Sequence, residues 1–206
     1  MGIYSDHIFP RLMDGGLGGQ MHRTYRERAL AGARGQVLEI GFGTGLNLPC
    51  YPPEIERLVA IDPVTMLEKK VRGRVERAPF PVERVVQDAA DPIPFPDASF
   101  DTLVSTWTLC SIGRLARALA ELRRLMRPGG VFLFLEHGRS DQRVVAGFQD
   151  FVNPLQNMVG CGCNLNRRID EEIQNGGFRI TELERFRIPG VPRAFGEVYL
   201  GSATHA

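Results

Sequence analysis

An acid followed by three glycines at alternate positions, Glu39-Ile40-Gly41-Phe42-Gly43-Thr44-Gly45, is the stretch of this 206-residue chain best suited to chemistry. It closes the apolar run Val37-Leu38-Glu39-Ile40, which reads as a buried parallel strand opening into a tight loop. Glycines there let the backbone turn sharply and let a ligand lie against main-chain atoms. A helix is expected next, its N-terminus adding amide donors and a positive dipole end. The loop does not read as a phosphate cradle. A P-loop would end Gly-Lys-Ser/Thr, whereas Gly45 is followed by Leu46 and Asn47, and a dinucleotide fingerprint would place glycine at position 46. Glu39 sits badly beside a pyrophosphate and well beside an ammonium or sulfonium, so the loop suits a cationic nucleoside.

The segment Glu39–Gly45 resembles motif I of the class I S-adenosylmethionine-dependent methyltransferases, in the type 11, UbiE-like superfamily. Later landmarks of that family recur in order at Ile61-Asp62, Asp88-Ala89-Ala90, Phe100-Asp101 and Arg127-Pro128-Gly129-Gly130, so the resemblance covers about residues 35 to 137. It implies S-adenosyl-L-methionine as cofactor, held by Glu39, Gly41, Gly43, Thr44 and Gly45. Asp62 closes the second strand, where parallel sheets bind ligands, and its two oxygens can accept from both ribose hydroxyls. Pro63 and Met66 are expected to pack on the adenine or its edge. By the resemblance, Asp88 accepts from the adenine amino group, the Ala89 amide donates to a ring nitrogen, and Thr106 is a further cofactor contact.

In this family the end of strand four faces the methyl group, which places Thr106, Trp107, Leu109, Cys110 and Ser111 at the reaction zone or its rim. Quinone and sterol methyltransferases often carry Leu-His-His where this chain has Leu109-Cys110-Ser111; Leu-Cys-Ser resembles the alkyl-thiol methyltransferase subgroup instead. Glu136-His137 and Cys163-Asn164-Leu165-Asn166-Arg167 resemble that subgroup too. His137 is the candidate to orient an acceptor or take its proton, with holding Glu136 as the competing role. Cys110 is the second catalytic candidate, with core packing as its alternative.

The elements that must position these groups follow from periodicity. Strands are expected at Arg57–Asp62, Val82–Asp88, Leu103–Trp107 and Val131–Glu136, with the last two at Phe178–Glu184 and Glu197–Gly201. Helices are expected from Gln20 to Ala33, with its arginines mostly outside, from Arg114 to Arg127, and from Arg168 to Gln174. Together with the resemblance, which implies the antiparallel last strand, they give an α/β, Rossmann-like sheet of seven mostly parallel strands with helices on both faces. A single domain 1–206 is expected: residues 1–34 a lid and helix, 35–137 the cofactor-binding core, 138–206 an acceptor-side insertion and final strands. Asp14-Gly15-Gly16-Leu17-Gly18-Gly19 reads as a flexible hinge too glycine-rich for helix, with Tyr4 and His7 able to line the lid. Phe148 to Met158 reads as a helix broken at Asn153-Pro154, whose Phe148, Phe151, Leu155 and Met158 would form an acceptor wall or cover the sheet.

Composition sets the outer limits. With 43% hydrophobic and 24% charged residues and a net charge of +1, the chain reads as an ordinary globular protein, cytoplasmic, with no nucleic acid partner and no integral membrane segment. Cys50, Cys110, Cys161 and Cys163 read as reduced thiols and not as a metal site, because a Cys-x-Cys without a second pair makes a poor zinc site. The expected activity is direct in-line methyl transfer to a small, apolar acceptor, a thiol in the first instance. Carbon or oxygen of a quinone, phenol or lipid-like molecule is the alternative, cofactor binding without catalysis a third reading, and the oligomeric state is left open.

Overall fold

The computed structural model describes Tyr4, residues 8–65 and residues 67–206; His7 and Met66 lie outside the described residues. Seven strands form one sheet in the order β3-β2-β1-β4-β5-β7-β6: β1 Gly35–Ile40, β2 Ile55–Asp62, β3 Val82–Val86, β4 Phe100–Thr106, β5 Met126–His137, β6 Phe178–Arg187 and β7 Glu197–His205. β1 to β5 pair in parallel, and β7 runs antiparallel to both β5 and β6. Strand order reverses between β1 and β4, so the carboxyl ends of these two strands flank the position where open α/β sheets bind ligands.

Alternation along the strands sorts the core into two layers. Leu38, Ile40, Val59 and Ile61 face the helices α4, Leu115–Leu125, and α6, Ile169–Asn175. Val37, Leu58 and Ala60 face the other way, toward Leu30 of α2, Gln20–Leu30, and Val71 of α3, Glu68–Val75. Helix α4 presents Leu115, Ala118, Leu119, Leu122 and Leu125 at helical spacing, all buried.

Several expectations fail for physical reasons. Residues 14–17 are not a hinge: α1 runs from Phe9 to Leu17 through Gly15 and Gly16. Two interior glycines cost the helix about 1 kcal/mol each, and tertiary contacts offset this. Buried Asp14 accepts from Thr44 Oγ1 at 2.6 Å and from Arg74 at 2.6 Å, and pairs with Lys70. Burial pushes the Asp14 pKa up, but the bonds from Arg74, Lys70 and Thr44 outweigh it and hold it at about 2. After the glycine loop there is no α-helix, only the 3-10 turn Leu48–Cys50, since Pro49, Pro52 and Pro53 interrupt the stretch. The chain crosses to β2 on this short link.

Helix α5 spans Arg143–Val159 without breaking at Pro154. Its neighbours brace it there: Asn153 Oδ1 accepts the Leu165 amide at 2.8 Å and Asn157 Nδ2 donates to the Gly162 carbonyl at 2.9 Å. Phe148, Phe151, Leu155 and Met158 neither cover the sheet nor wall the site; the buried apolar residues of the helix are Val145 and Ala146. Phe151 is 82% exposed and Met158 71%, on a stripe with Val144, Phe148 and Leu155. Tyr4 likewise bonds the Val159 carbonyl at the end of this helix, through its hydroxyl at 2.7 Å. Among the described residues no helix is long and apolar enough to cross a membrane.

Gly201, in the middle of β7, pairs with Leu183 of β6, close to a register shift between Ile180 and Glu182, and with Phe134 of β5 on its other side. A Cβ there would overlap the Glu182 carbonyl and the Phe134 ring. Gly201→Ala is therefore expected to destabilise the chain by about 1–3 kcal/mol, read as a lowered urea midpoint at unchanged m-value; an unaltered midpoint would show that β6 can slide outward at no cost.

Candidate active site

One cavity of about 750 Å³ lies over the carboxyl ends of the parallel strands. Its floor is the glycine loop after β1, the ends of β2 and β4, and His137 at the end of β5. Its roof is α1 and the start of α2, and its far side is the 160–165 turn with Ile188, Val191 and Phe195 from the β6–β7 connection. The apolar wall expected from α5 is built by these residues instead.

Gly41, Gly43 and Gly45 all have positive φ, at +71°, +56° and +75°. Gly41 also lies so close to Thr108 that any Cβ would overlap its side chain, so glycine is required for the loop to pass beneath the end of β4. The Gly43 amide donates to Asp62 Oδ2 at 2.8 Å and the Val64 amide to Oδ1 at 2.9 Å. Each oxygen keeps accepting capacity on the cavity side. Burial raises the Asp62 pKa, with these two amides opposing. Pro63 and Ala89 line the cavity beside it. Asp88 accepts from the Ala90 amide at 2.8 Å and from Arg114 at 2.9 Å; the amide bond and the guanidinium outweigh desolvation and lower its pKa.

Glu39 is wholly enclosed, accepting from the Tyr51 hydroxyl at 2.7 Å and from Asn47 Nδ2 at 2.9 Å. Burial pushes its pKa up to about 7 against these donors. Asn47 Nδ2 also donates to Thr106 Oγ1 at 2.9 Å, tying the ends of β1 and β4 together. Four buried side-chain polar atoms among the described residues have no partner: Arg26 Nε, Asn47 Oδ1, Trp107 Nε1 and His137 Nε2. All four residues line this cavity. Such concentration marks a place that a polar ligand completes.

The third feature is a corner of sulfur and imidazole. Cys110 Sγ and Cys163 Sγ are 3.5 Å apart, and Cys163 Sγ is 3.8 Å from His137 Nδ1. The Cys110 thiol and the His137 ring outweigh desolvation and draw the Cys163 pKa down to about 5, while the same sulfur pair and burial push Cys110 well up. Glu136 does not touch His137's role: it lies beneath, accepting from Ser105 Oγ at 2.6 Å and the Thr108 amide at 2.9 Å, with burial raising its pKa to about 7. All four cysteines are thiols.

The structure thus gathers Glu39, Gly41, Gly43, Thr44, Asp62, Pro63, Asp88, Ala89, Thr106, Cys110 and His137 around one cavity. Gly45 turns the loop behind them, against Phe42 and Leu48. Thr44 spends its hydroxyl on Asp14. Leu109 is not at the rim but fully buried in the core. Arg26, expected on a solvated face, is 3% exposed and donates to the Leu17 carbonyl at 2.8 Å. Arg26, Asn47 and Cys163 were not assigned from the sequence. Asn47 carried a local signal as the first polar side chain after the glycine loop, and Cys163 stood at the head of the segment resembling the thiol methyltransferase subgroup.

A methyltransferase-domain family profile matches residues 38–134. The human thiol S-methyltransferase TMT1B is 36% identical over 163 residues, covering 77% of this chain and 66% of the human enzyme, so the chain spans just under two thirds of that relative's length. Phosphatidylethanolamine N-methyltransferase of Cereibacter sphaeroides is 31% identical over 146 residues, covering 69% of this chain and 71% of the relative. Among solved structures, the Burkholderia thailandensis 1,6-didemethyltoxoflavin-N1-methyltransferase with bound 1,6-didemethyltoxoflavin and S-adenosylhomocysteine superposes with a TM-score of 0.65 at 18% identity, over 91% of this chain and 79% of that one.

The elevated Glu39 pKa has a signed consequence. Between its ordinary value near 4.5 and about 7 the folded chain holds a proton that the unfolded chain has lost. This group's contribution to stability is therefore fully present below about pH 4.5, falls as pH rises, and levels off above about 7. Glu39→Gln, which keeps the shape and cannot ionise, is expected to flatten the urea-midpoint profile between pH 5 and about 7 relative to wild type; parallel profiles would place the Glu39 proton elsewhere.

Proposed function

Since the chain belongs to the class I S-adenosylmethionine-dependent methyltransferases, we propose that it methylates the sulfur of a small, apolar thiol. S-Adenosylmethionine is the cofactor, and when bound it supplies a methyl group already activated on a cationic sulfur. The observation that carries the reading is the gathering, on one cavity that also carries a corner of sulfur and imidazole, of the four partnerless buried polar atoms found among the described residues.

The residues present fit the cofactor's parts. Arg26 Nε is a buried donor without an acceptor, suited to a carboxylate, and Asn47 Oδ1 is a buried acceptor without a donor, suited with Glu39 to an ammonium. Asp62 retains acceptor capacity for ribose hydroxyls, and Pro63, Asp88 and Ala89 are the groups for the base. Helix α1, pinned through Asp14, roofs these positions. Holding nucleophile and methyl carbon in line can supply roughly 7–11 kcal/mol of the barrier, so the protein's remaining task is the acceptor's proton.

A thiol must shed that proton before or during attack, because the thiolate is the nucleophile. Cys110, His137 and Cys163 are the groups an acceptor would meet, and Trp107, Leu165, Ile188 and Val191 give it apolar walls. Kinship with the thiol S-methyltransferases supports the same acceptor. A lipid amine is the second reading, favoured by the phosphatidylethanolamine relative and by the exposed apolar stripe of α5.

Titration calorimetry with S-adenosylmethionine and S-adenosylhomocysteine is the first test. Micromolar binding, about −8 kcal/mol, is expected for wild type and not for Asp62→Ala. Because the methionine form carries the extra positive charge, its binding near pH 6.5 should expel the Glu39 proton, giving a buffer-dependent heat that S-adenosylhomocysteine and Glu39→Gln largely lack. A panel of apolar thiols, phenols, quinones and phosphatidylethanolamine vesicles then reads the acceptor. Turnover of thiols alone supports the proposal, turnover confined to another class replaces it, and cofactor binding with no turnover leaves a sensor.

A further inference from the structure

The sulfur and imidazole corner has a geometry that methyl transfer by itself does not require. Its three groups come from separate elements: Cys110 from the loop after β4, His137 from the end of β5, and Cys163 from the turn after α5. Their potential ligand atoms all lie within 4.8 Å of one another. A tetrahedral zinc ion with bonds of about 2.3 Å to sulfur and about 2.0 Å to nitrogen needs sulfur atoms about 3.8 Å apart and sulfur to nitrogen about 3.5 Å. The structure has 3.5 Å and 3.8 Å.

We propose that Cys110 Sγ, Cys163 Sγ and His137 Nδ1 form a three-ligand site for a soft divalent cation, zinc in the first instance, with its fourth position open to the cavity. Two thiolates and a neutral imidazole would balance the ion's charge in a buried setting, and this donor set selects zinc over hard cations. Among the described residues no fourth cysteine, histidine or carboxylate joins the cluster. Three protein ligands and one open position are the arrangement of catalytic zinc sites, whereas structural sites are closed by four.

The surroundings hold the two cysteine-bearing loops in place, while His137 Nε2, the ring nitrogen left for a second partner, has none among the described residues. Asn164 donates to the Cys110 carbonyl through its amide at 2.9 Å and its side chain at 3.0 Å. Asn157 and Asn164 both donate to the Gly162 carbonyl at 2.9 Å, next to Cys163. Arg167 clamps the Leu109 and Ile112 carbonyls on either side of Cys110. These bonds fix two loops against each other with both sulfurs already converged.

The use of the fourth position rests on the thiol reading; the site itself does not. An acceptor thiol would displace water there and bind as thiolate, its proton passing to solvent, with the sulfur lone pair that remains directed into the cavity. The metal would thus do the work otherwise left to a histidine base.

The test uses the full chain, reduced, freed of metal by a chelator, and titrated with Co(II). The expected result is one ion per chain, with the strong visible bands of tetrahedral cobalt and a thiolate charge-transfer band in the near ultraviolet, all displaced by Zn(II). Cys110→Ser and Cys163→Ser should lose the charge-transfer band, and His137→Asn should weaken binding at least tenfold. Retained S-adenosylhomocysteine binding in these variants establishes that they are folded. Addition of an apolar thiol, but not a phenol, should shift the cobalt bands. No stoichiometric ion, or bands that survive Cys163→Ser, would overturn the site; bands indifferent to every thiol would overturn its open position. Cobalt binding intact while no thiol is methylated would leave the metal site standing and sink the thiol reading alone.

Discussion

A carboxyl group enclosed at the end of β1 is the constraint on which the site depends. An unpartnered carboxylate in such a place would cost several kcal/mol, so the chain must bring donors to it. It brings Tyr51 and Asn47, both from the short link to β2, and that demand dictates the path of the glycine loop. Asn47 then reaches Thr106, fixing the distance between the ends of β1 and β4 at the point where strand order reverses. The compact link without an α-helix is part of the same solution, because a regular helix here would be a different path for Asn47 and Tyr51.

The second layer of organisation is electrostatic and lies above the loop. Asp14 on α1, Lys70 and Arg74 on α3, and Thr44 in the loop form one network around the buried Asp14 carboxylate, and Arg74 also donates to the Thr44 carbonyl at 2.6 Å. It converts a glycine-bearing segment of low helix propensity into a fixed roof. Because Asp14 stays ionised down to about pH 2, the roof is insensitive to ordinary changes in pH.

The strands, and the glycine loop and strand-end acids that line the cavity, were legible in the sequence because they depend on local patterns: apolar runs, acids at strand ends, glycines at fixed spacing. What the sequence concealed depends on contacts distant along the chain. Asp14 and Thr44 are 30 residues apart, and Asp14 and Arg74 60. Arg26 looked like a surface residue because it stands in a row of arginines, yet in the fold it is buried, bonding the Leu17 carbonyl at the end of α1. Pro154 and the α5 stripe misled for the converse reason, since local rules forecast a break and a buried face while neighbouring asparagines held the helix together and left its face outside. Cys163 was legible as half of a Cys-x-Cys and as the start of a segment resembling the thiol methyltransferase subgroup, but its partners, Cys110 and His137, lie 53 and 26 residues away.

The place of β7 in the sheet governs the order in which the molecule can be completed. β7 is last in sequence yet lies between β5 and β6, so β6 has no sheet neighbour until β7 exists. The connection between them carries Ile188, Val191 and Phe195, one wall of the cavity. During synthesis the cofactor half of the fold can therefore consolidate first, with its parallel strands already paired, while the pocket's far side waits for residues Glu197–His205 to leave the ribosome and insert. A nascent chain halted before that point would present the free edge of β5, a long apolar strand, to its surroundings.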